Sequence, residues 1–223
     1  MIQLYHVTKR YRQPAPALND VTLQIDKGEF VCVTGPSGAG KTTLLKLVFC
    51  EEQADQGQII VLGRNIARIA PRKVHTIRRS IGMVYQDFRL LPARSLFENV
   101  LLAPRVAGCS PSEAIQRTLV ALRMVGLEQK RSSLPAELSA GEQQRACIAR
   151  ALVNAPPILL ADEPTGNLDE ELTWEIGALL QGIHLKGTTV VLATHNRGLI
   201  ARLGCRVVTL KEGGVVKDEA GGR

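Results

Sequence analysis

The sequence has no run of about 18 consecutive apolar residues, which is the length that a helix needs to cross the hydrocarbon core of a membrane. Its first residues, MIQLYHVTKRYRQ, also lack the apolar middle of a secretory signal peptide. These two absences exclude a helical membrane span and predict a protein that is made and kept in the cytosol.

Aromatic residues make up only 4% of the chain, so the hydrophobic core must be built from aliphatic side chains. The net charge of +7 permits binding to nucleic acid, anionic lipid or a phosphate ligand. However, basic residues cluster only loosely, as in PRKVHTIRRS (71–80), and neither a basic tail nor interleaved aromatic residues accompany them. We therefore expect no nucleic-acid partner.

The five cysteines are far apart in the sequence and form no CxxC pair. An odd number without local pairing disfavours a disulfide framework and predicts free thiols in a reducing compartment. Cys32 and Cys147 lie in apolar contexts, so we expect them to be small core residues.

Short apolar runs alternate with helical patterns over much of the chain, which favours βαβ units and a mainly parallel sheet. Three of the runs, at 29–35, 156–164 and 188–195, predict buried strands that are followed directly by polar residues. Residues 87–154 differ, because they carry only helical patterns broken by proline and glycine. We expect a helical subdomain there, inserted into an α/β core formed by 1–86 and 155–223.

The segment GPSGAGKT matches GxxxxGK[ST], between a predicted strand and a predicted helix, which is the context of a phosphate-binding loop. Backbone N–H groups and the helix N-terminus would surround phosphate oxygens, Lys41 would supply a positive charge to them, and Thr42 would offer its hydroxyl to Mg²⁺. The residues that we expect to hold the phosphates are Gly35, Pro36, Ser37, Gly38, Ala39, Gly40, Lys41, Thr42 and Thr43.

Polar residues follow three further apolar runs. Asp162 and Glu163 follow the apolar residues of ILLADEP, at a strand end where an acidic pair alone would often cap a helix. After a phosphate loop, we favour Asp162 as a magnesium ligand and Glu163 as the residue that orients or deprotonates a water. His195 and Gln86 end two other runs, and the strand order would bring His195 to the same sheet edge.

The stretch LSAGEQQRACIARAL (138–152) predicts a helix whose N-terminus is capped by Ser139 together with Glu142. Ala140 and Gly141 leave that N-terminus small and bare, which suits an approaching anion. The residues alone do not say which anion this is, or whether it belongs to the same chain.

In combination, these motifs resemble the ATPase subunit of ABC transporters. GPSGAGKT is similar to Walker A, ILLADEP to Walker B, and LSAGE to the family signature LSGGQ. GNLDEE is similar to the D-loop, and Gln86, His195 and Tyr11 match the Q-loop glutamine, the switch histidine and the aromatic that stacks on adenine. The resemblance covers the whole chain and implies a P-loop NTPase core with an antiparallel β subdomain and an inserted helical subdomain.

The same resemblance implies an ATPase that uses ATP and Mg²⁺ and works as a head-to-tail homodimer with ATP at the interface. Catalysis would involve Lys41, Gln86, Glu163 and His195, with Thr42, Gln86 and Asp162 near the metal. Ser139, Gly141, Glu142 and Asp169 would then contact ATP held by the second subunit. Two departures stand out: Ala140 adds a methyl group where close approach matters, and Glu142 replaces glutamine.

Within the family, VYQDFRLLPARSLFENVLLAPRV and ADEPTGNLDEELTWEI resemble the FtsE subfamily of bacterial cell division. That resemblance implies an FtsX-like transmembrane partner, control of cell-wall hydrolysis, and a peripheral position on the cytoplasmic face of the plasma membrane. ATPases of lipoprotein-release and macrolide-export systems share much of the pattern and stay open as an alternative. ABC proteins that act on nucleic acid bring coiled coils, zinc cysteines or tandem ATPase domains, and the sequence has none of these.

The stretch DFRLLPARSLF suggests where such a partner would bind. We expect Phe88, Leu90, Leu91, Leu96 and Phe97 to form an exposed hydrophobic surface for a partner helix. The alternative is that these side chains pack in the core of their own subdomain.

Overall fold

The computed structural model describes residues 1–12 and 15–221, which form two β-sheets and seven α-helices. The strands are β1 Ile2–Lys9, β2 Leu18–Ile25, β3 Phe30–Thr34, β4 Gln56–Val61, β5 Arg64–Asn65, β6 Ile81–Val84, β7 Ile158–Asp162, β8 Thr189–Ala193, β9 Arg206–Lys211 and β10 Gly214–Glu219. The helices are α1 Lys41–Val48, α2 Val74–Arg78, α3 Leu96–Ala107, α4 Pro111–Met124, α5 Ala140–Leu152, α6 Glu170–Leu185 and α7 Arg197–Leu203.

The larger sheet has the order β10-β9-β3-β8-β7-β6, and all its neighbouring strands pair in parallel except β10 with β9. Side chains alternate between its two covered faces: Val31 and Val33 join one core cluster, and Phe30 and Cys32 join the other. Burial on both faces explains why these strands are continuous apolar runs. Parallel pairing brings the carboxyl ends of β3, β6, β7 and β8 to one edge of the sheet.

The smaller sheet, β2-β1-β4-β5, is antiparallel. Its strands β1 and β2 bury apolar residues at roughly every second position, including Ile2, Leu4, Val21 and Leu23. These side chains pack in the same core cluster as α1 and one face of the larger sheet. The α/β fold of the ABC ATPase type, with an antiparallel β subdomain, is thereby confirmed.

Between β6 and β7 the chain forms α3, α4 and α5, and all three helices lie within residues 87–154. They bury their apolar faces in the second core cluster, where Val100, Leu122 and Cys147 are fully buried. Of the helices in 1–12 and 15–221, none combines the length and the apolar character that crossing a membrane requires.

The prediction that DFRLLPARSLF forms an exposed hydrophobic surface is wrong. Leu96 is fully buried because it opens α3 on the side that faces the core. Phe88, Leu90 and Phe97 are half-buried against the same core cluster, and only Leu91 is substantially exposed, at 44%. These residues therefore mainly pack their own subdomain.

Candidate functional site

The loop between β3 and α1 lines a cavity of about 550 Å³ at the carboxyl edge of the larger sheet. Its course depends on glycine at two positions, because Gly35 and Gly40 have φ angles of 145° and 105°. A Cβ atom at Gly35 would overlap the carbonyl oxygen of Leu210, and one at Gly40 would overlap that of Ala17. The loop can therefore lie this close to its neighbours only with glycine there.

Helix α1 begins without a side-chain cap and has no acidic residue in its first turn. Its free N–H groups and its dipole therefore remain available to an anion. Lys41 is 8% exposed, and its Nζ donates to the carbonyl oxygens of Gly35 at 2.9 Å and Pro36 at 3.2 Å. This arrangement holds a cation beside the bare helix end, as a phosphate site requires.

Asp162 lies at the end of β7, where its Oδ1 accepts a hydrogen bond of 3.0 Å from the Thr42 hydroxyl. Burial raises the pKa of Asp162 above its ordinary value, while the Thr42 hydrogen bond and the charge of Lys41 oppose that shift. Two oxygen atoms of the kind that Mg²⁺ binds thus lie together beside the phosphate loop.

Glu163 is the next residue and has a φ angle of 44°, in the left-handed region, which costs a non-glycine residue about 1–3 kcal/mol. Its backbone N–H donates to the carbonyl oxygen of Ala193 at 2.9 Å. Its Oε1 lies 2.8 Å from Nδ1 of His195 and 3.7 Å from Nζ of Lys41. Glu163 and His195 meet because β7 and β8 are neighbours, with Asp162 paired with Ala193.

Gln86, just beyond β6, and Tyr11 also line the cavity, and Tyr11 is 42% exposed. Ala17 lines it too, a contact that the sequence does not signal because its side chain is a single methyl group. The complete lining is Tyr11, Ala17, Pro36, Ser37, Gly38, Gly40, Lys41, Thr42, Thr43, Gln86, Glu163 and His195. The buried Ala39 and Asp162 lie just behind this lining.

The other predicted nucleotide contacts do not line this cavity. Ser139 caps α5, and with Glu142 it forms the capping box that the sequence predicts, with N···O distances of 3.0 and 3.3 Å. Asp169 caps α6 by accepting a hydrogen bond of 2.8 Å from the backbone N–H of Leu172. The Leu172 side chain packs so closely on Gly141 that a Cβ there would lie 2.9 Å from it. The LSAGE segment therefore packs on the first turn of α6, directly after GNLDEE, and both segments lie outside the cavity that holds the phosphate loop.

Glu142 accepts hydrogen bonds from Nζ of Lys130 and from the Ser139 N–H, and both lower its pKa. We expect Glu142→Gln to reduce stability at neutral pH by about 0.5–1 kcal/mol, since it removes a partly exposed ion pair. The difference in the free energy of unfolding between the native protein and Glu142→Gln should shrink as the pH falls through the lowered pKa of Glu142. Protonation then removes the same charge from the native protein.

Urea denaturation of both proteins between about pH 7 and pH 3 measures this difference. The same substitution at the exposed Glu212 is the control. If the difference in stability between the native protein and Glu142→Gln grew on acidification, ionised Glu142 would not be the form that stabilises the fold.

Helix α5 makes contacts with residues 88 and 89 that the sequence does not predict. Arg150, in the last turn of α5, donates to the carbonyl oxygens of Phe88 at 2.9 Å and Arg89 at 2.5 Å. Cys147 lies one turn earlier and donates to the same Phe88 oxygen at 2.9 Å. Helix α5, which begins with the LSAGE sequence, is thereby tied to the segment that follows Gln86.

Comparisons with known proteins show the family to which the chain belongs. The family model described as ABC transporter matches residues 18–166. The chain is 45% identical over 222 residues to the cell division ATP-binding protein FtsE of Bacillus subtilis, covering 100% of this chain and 97% of the relative. It is 47% identical over 224 residues to the FtsE protein of Mycobacterium tuberculosis, with 100% and 97% coverage. For the FtsE protein of Escherichia coli K12 the identity is 45% over 213 residues, with 96% of each chain covered.

Among solved structures, the ATP-binding cassette MJ0796 is similar at a TM-score of 0.90. One structure is a dimeric post-hydrolysis state bound to ADP and Pi, with 38% identity over 99% of this chain and 98% of the other. A second, described as the dimeric structure of a bacterial ABC transporter cassette, has 39% identity with the same coverage. The resemblance found in the motifs is confirmed: the chain belongs to the ABC transporter family and is an ATP-binding cassette that hydrolyses ATP.

Proposed function

We propose that this chain is the ATPase subunit of an FtsE–FtsX type complex in bacterial cell division. In that complex, two copies would bind ATP between them and drive a transmembrane partner that controls cell-wall hydrolysis. The observation that carries the proposal is the 45–47% identity to FtsE proteins over nearly the full length of both chains. The chain would lie on the cytoplasmic face of the membrane, held there by its partner.

The homodimer is supported by the separation within one chain between the phosphate loop and the other residues that we expect to contact ATP. Ser139, Gly141 and Glu142 lie at the start of α5 and Asp169 lies at the start of α6, outside the cavity that holds the phosphate loop. A second copy facing the first would bring these residues to the γ-phosphate of its neighbour. In this dimer the start of α5 would be the anion site that the sequence suggested, and its anion would come from the other subunit.

The chain's own residues fit a triphosphate and Mg²⁺. Lys41 and the backbone N–H groups of the loop would bind the β- and γ-phosphates. The Thr42 hydroxyl and the Asp162 carboxylate, 3.0 Å apart, are the oxygen ligands that Mg²⁺ takes alongside phosphates and waters, and Gln86 would complete the set. Bound Mg²⁺ would neutralise charge on the phosphate oxygens.

Glu163 would orient the attacking water and accept its proton. His195 contacts the Glu163 carboxylate at 2.8 Å, so it would hold this side chain in place and donate to the γ-phosphate. Because Lys41 also lies near this carboxylate, ATP binding would rearrange the contacts of both residues.

The partner is tested by purifying a tagged chain from membranes with ATP present and identifying the co-purifying transmembrane protein by mass spectrometry. We expect an FtsX-like protein, and we expect that depletion of the chain gives cells that elongate without dividing. Recovery of a lipoprotein-release or macrolide-export membrane protein would replace the proposal with that alternative.

We expect Tyr11→Ala to weaken ATP binding by about 5–150-fold, because stacking of a base on an aromatic ring contributes about 1–3 kcal/mol. GTP should be accepted measurably by the native protein, since stacking tolerates either purine. Titration with a fluorescent nucleotide measures both affinities. Tyr5→Ala is the matched control, because Tyr5 is exposed to a similar extent, 40%, and does not line the cavity. Unchanged affinity in Tyr11→Ala would contradict the stacking of Tyr11 on adenine.

A further inference from the structure

Tyr11 lies outside the strands and helices that support most of the nucleotide cavity. Strand β1 ends at Lys9, which is paired with Leu18, and Tyr11 follows two residues later. Its side chain is 42% exposed and lines the cavity together with Ala17. An exposed ring can turn about its side-chain bonds, so stacking on adenine requires that the ring be ordered first.

The ammonium group of Lys9 lies over the ring of Tyr11. Its Nζ is 5.2 Å from the centre of the ring, within the roughly 6 Å over which a cation is attracted to an aromatic face. This attraction favours one orientation of the ring, because it is lost when the ring turns its positive edge toward the cation. One face of Tyr11 is thus occupied, and the other is left for a base.

Two carboxylates hold Lys9 in this place. Its Nζ lies 3.1 Å from Glu52 and 4.0 Å from Asp55, and the Lys9 side chain is only 11% exposed. Asp55 also fixes the backbone at the end of β1, because it accepts a hydrogen bond from the Arg10 N–H at 2.5 Å and donates its own N–H to the Thr8 carbonyl oxygen at 2.9 Å. The ammonium group therefore has little freedom to move away from the ring.

The carboxylates that hold Lys9 are themselves connected to the phosphate loop through α1. Glu52 follows the C-terminal end of this helix, and its backbone N–H donates to the Lys46 carbonyl oxygen at 3.3 Å. The phosphate loop leads into the N-terminus of the same helix, which has 8 residues and is about 12 Å long. The support of the Tyr11 ring and the phosphate loop are therefore attached to opposite ends of one short, rigid element.

We propose that Lys9 is a positioning residue for nucleotide binding. Its ammonium group, anchored by Glu52 and Asp55, holds the Tyr11 ring in the orientation in which adenine stacks on the free face. This inference rests on the proposed stacking of Tyr11 on adenine and adds the group that prepares the ring for it. A ring that is already ordered loses less entropy when ATP binds, so the cation should tighten binding without contacting the nucleotide.

A double-mutant cycle on the full chain tests the proposal. Lys9→Met removes the charge and keeps an unbranched side chain, and it is made in the native, Tyr11→Phe and Tyr11→Ala backgrounds. We expect it to weaken ATP binding by about threefold in the native and Tyr11→Phe backgrounds, where the ring is present. In Tyr11→Ala it should change nothing, because no ring is left to orient. Isothermal titration with ATP and Mg²⁺ measures all six affinities.

A ligand without a base separates ring orientation from a direct effect of the charge on the phosphates. Inorganic tripolyphosphate with Mg²⁺, measured by competition with a fluorescent nucleotide, should bind equally to the native protein and to Lys9→Met. Lys217→Met is the matched control, because Lys217 lies 3.3 Å from Glu219 on β10 and does not line the cavity. Thermal unfolding without nucleotide shows whether each variant is folded, and Lys9→Gln replaces Lys9→Met if the latter is not.

Three results would overturn the positioning role of Lys9. The first is an equal loss of ATP affinity in the native and Tyr11→Ala backgrounds, and the second is a loss of tripolyphosphate affinity as large as that of ATP affinity, since both place the effect on the phosphates. The third is native ATP affinity in a folded Lys9→Met. Unchanged ATP affinity in Tyr11→Ala alone would instead contradict the proposed stacking, and the inference would fall with it.

Discussion

Glu163→Gln should hydrolyse ATP about 10²–10⁴-fold more slowly than the native protein while still binding ATP. The carboxamide has the same shape as the carboxylate and can keep hydrogen bonds to His195, but it cannot accept a proton from water. It also removes the negative charge 3.7 Å from Lys41, so the phosphate site becomes more positive. Phosphate release at saturating ATP, together with a nucleotide-binding titration, separates the rate from the affinity.

The same substitution should trap the proposed dimer. Since the sandwiched ATP would no longer be cleaved, the dimer should accumulate in sedimentation velocity with ATP and Mg²⁺ and dissociate when EDTA removes the metal. Glu113→Gln is the control, because Glu113 lies on α4, outside the cavity and outside the LSAGE and GNLDEE segments. Turnover of Glu163→Gln close to the native rate would contradict the role of Glu163, and a dimer that forms equally without nucleotide would contradict ATP at the interface.

Much of the site could be predicted because parallel strands that are buried on both faces have a clear sequence pattern, a continuous apolar run. In β3, β7 and β8, every residue before the last is apolar or fully buried, and the chain turns polar where each strand leaves the core. Asp162 is the last residue of β7, and Gly35, Glu163 and His195 follow the ends of β3, β7 and β8. Parallel pairing places all four at one edge of the sheet. The Ser139–Glu142 capping box is equally local, so four residues suffice to predict it.

Contacts between distant segments could not be predicted in the same way. Arg150 and Phe88 are 62 residues apart, and the periodicity of α5 says only that Arg150 lies in its last turn. The orientation of Leu96 was missed for a related reason, since a helix start can direct its first side chain inward or outward.

Lys41→Ala should lower ATP affinity by about 100-fold or more. A hydrogen bond to a charged group contributes about 1.5–3 kcal/mol, and Lys41 is placed to reach both the β- and the γ-phosphate. Since 1.4 kcal/mol corresponds to about tenfold, two such contacts give at least the stated loss. In the native protein, Nζ of Lys41 donates to the carbonyl oxygens of Gly35 and Pro36 and lies 3.7 Å from the Glu163 carboxylate. Neither carbonyl neutralises its charge, so that charge is available to the ligand.

Lys46→Ala on the same helix is the matched control, because Lys46 does not line the cavity and should leave ATP affinity within about threefold of the native value. Isothermal titration with ATP and Mg²⁺ measures both variants, and thermal unfolding without nucleotide shows whether each is folded. Retained affinity in a folded Lys41→Ala would mean that the backbone N–H groups and the start of α1 suffice to hold the phosphates. In that case Lys41 would serve mainly to position Glu163, and the loss should then be in the hydrolysis rate instead of in binding.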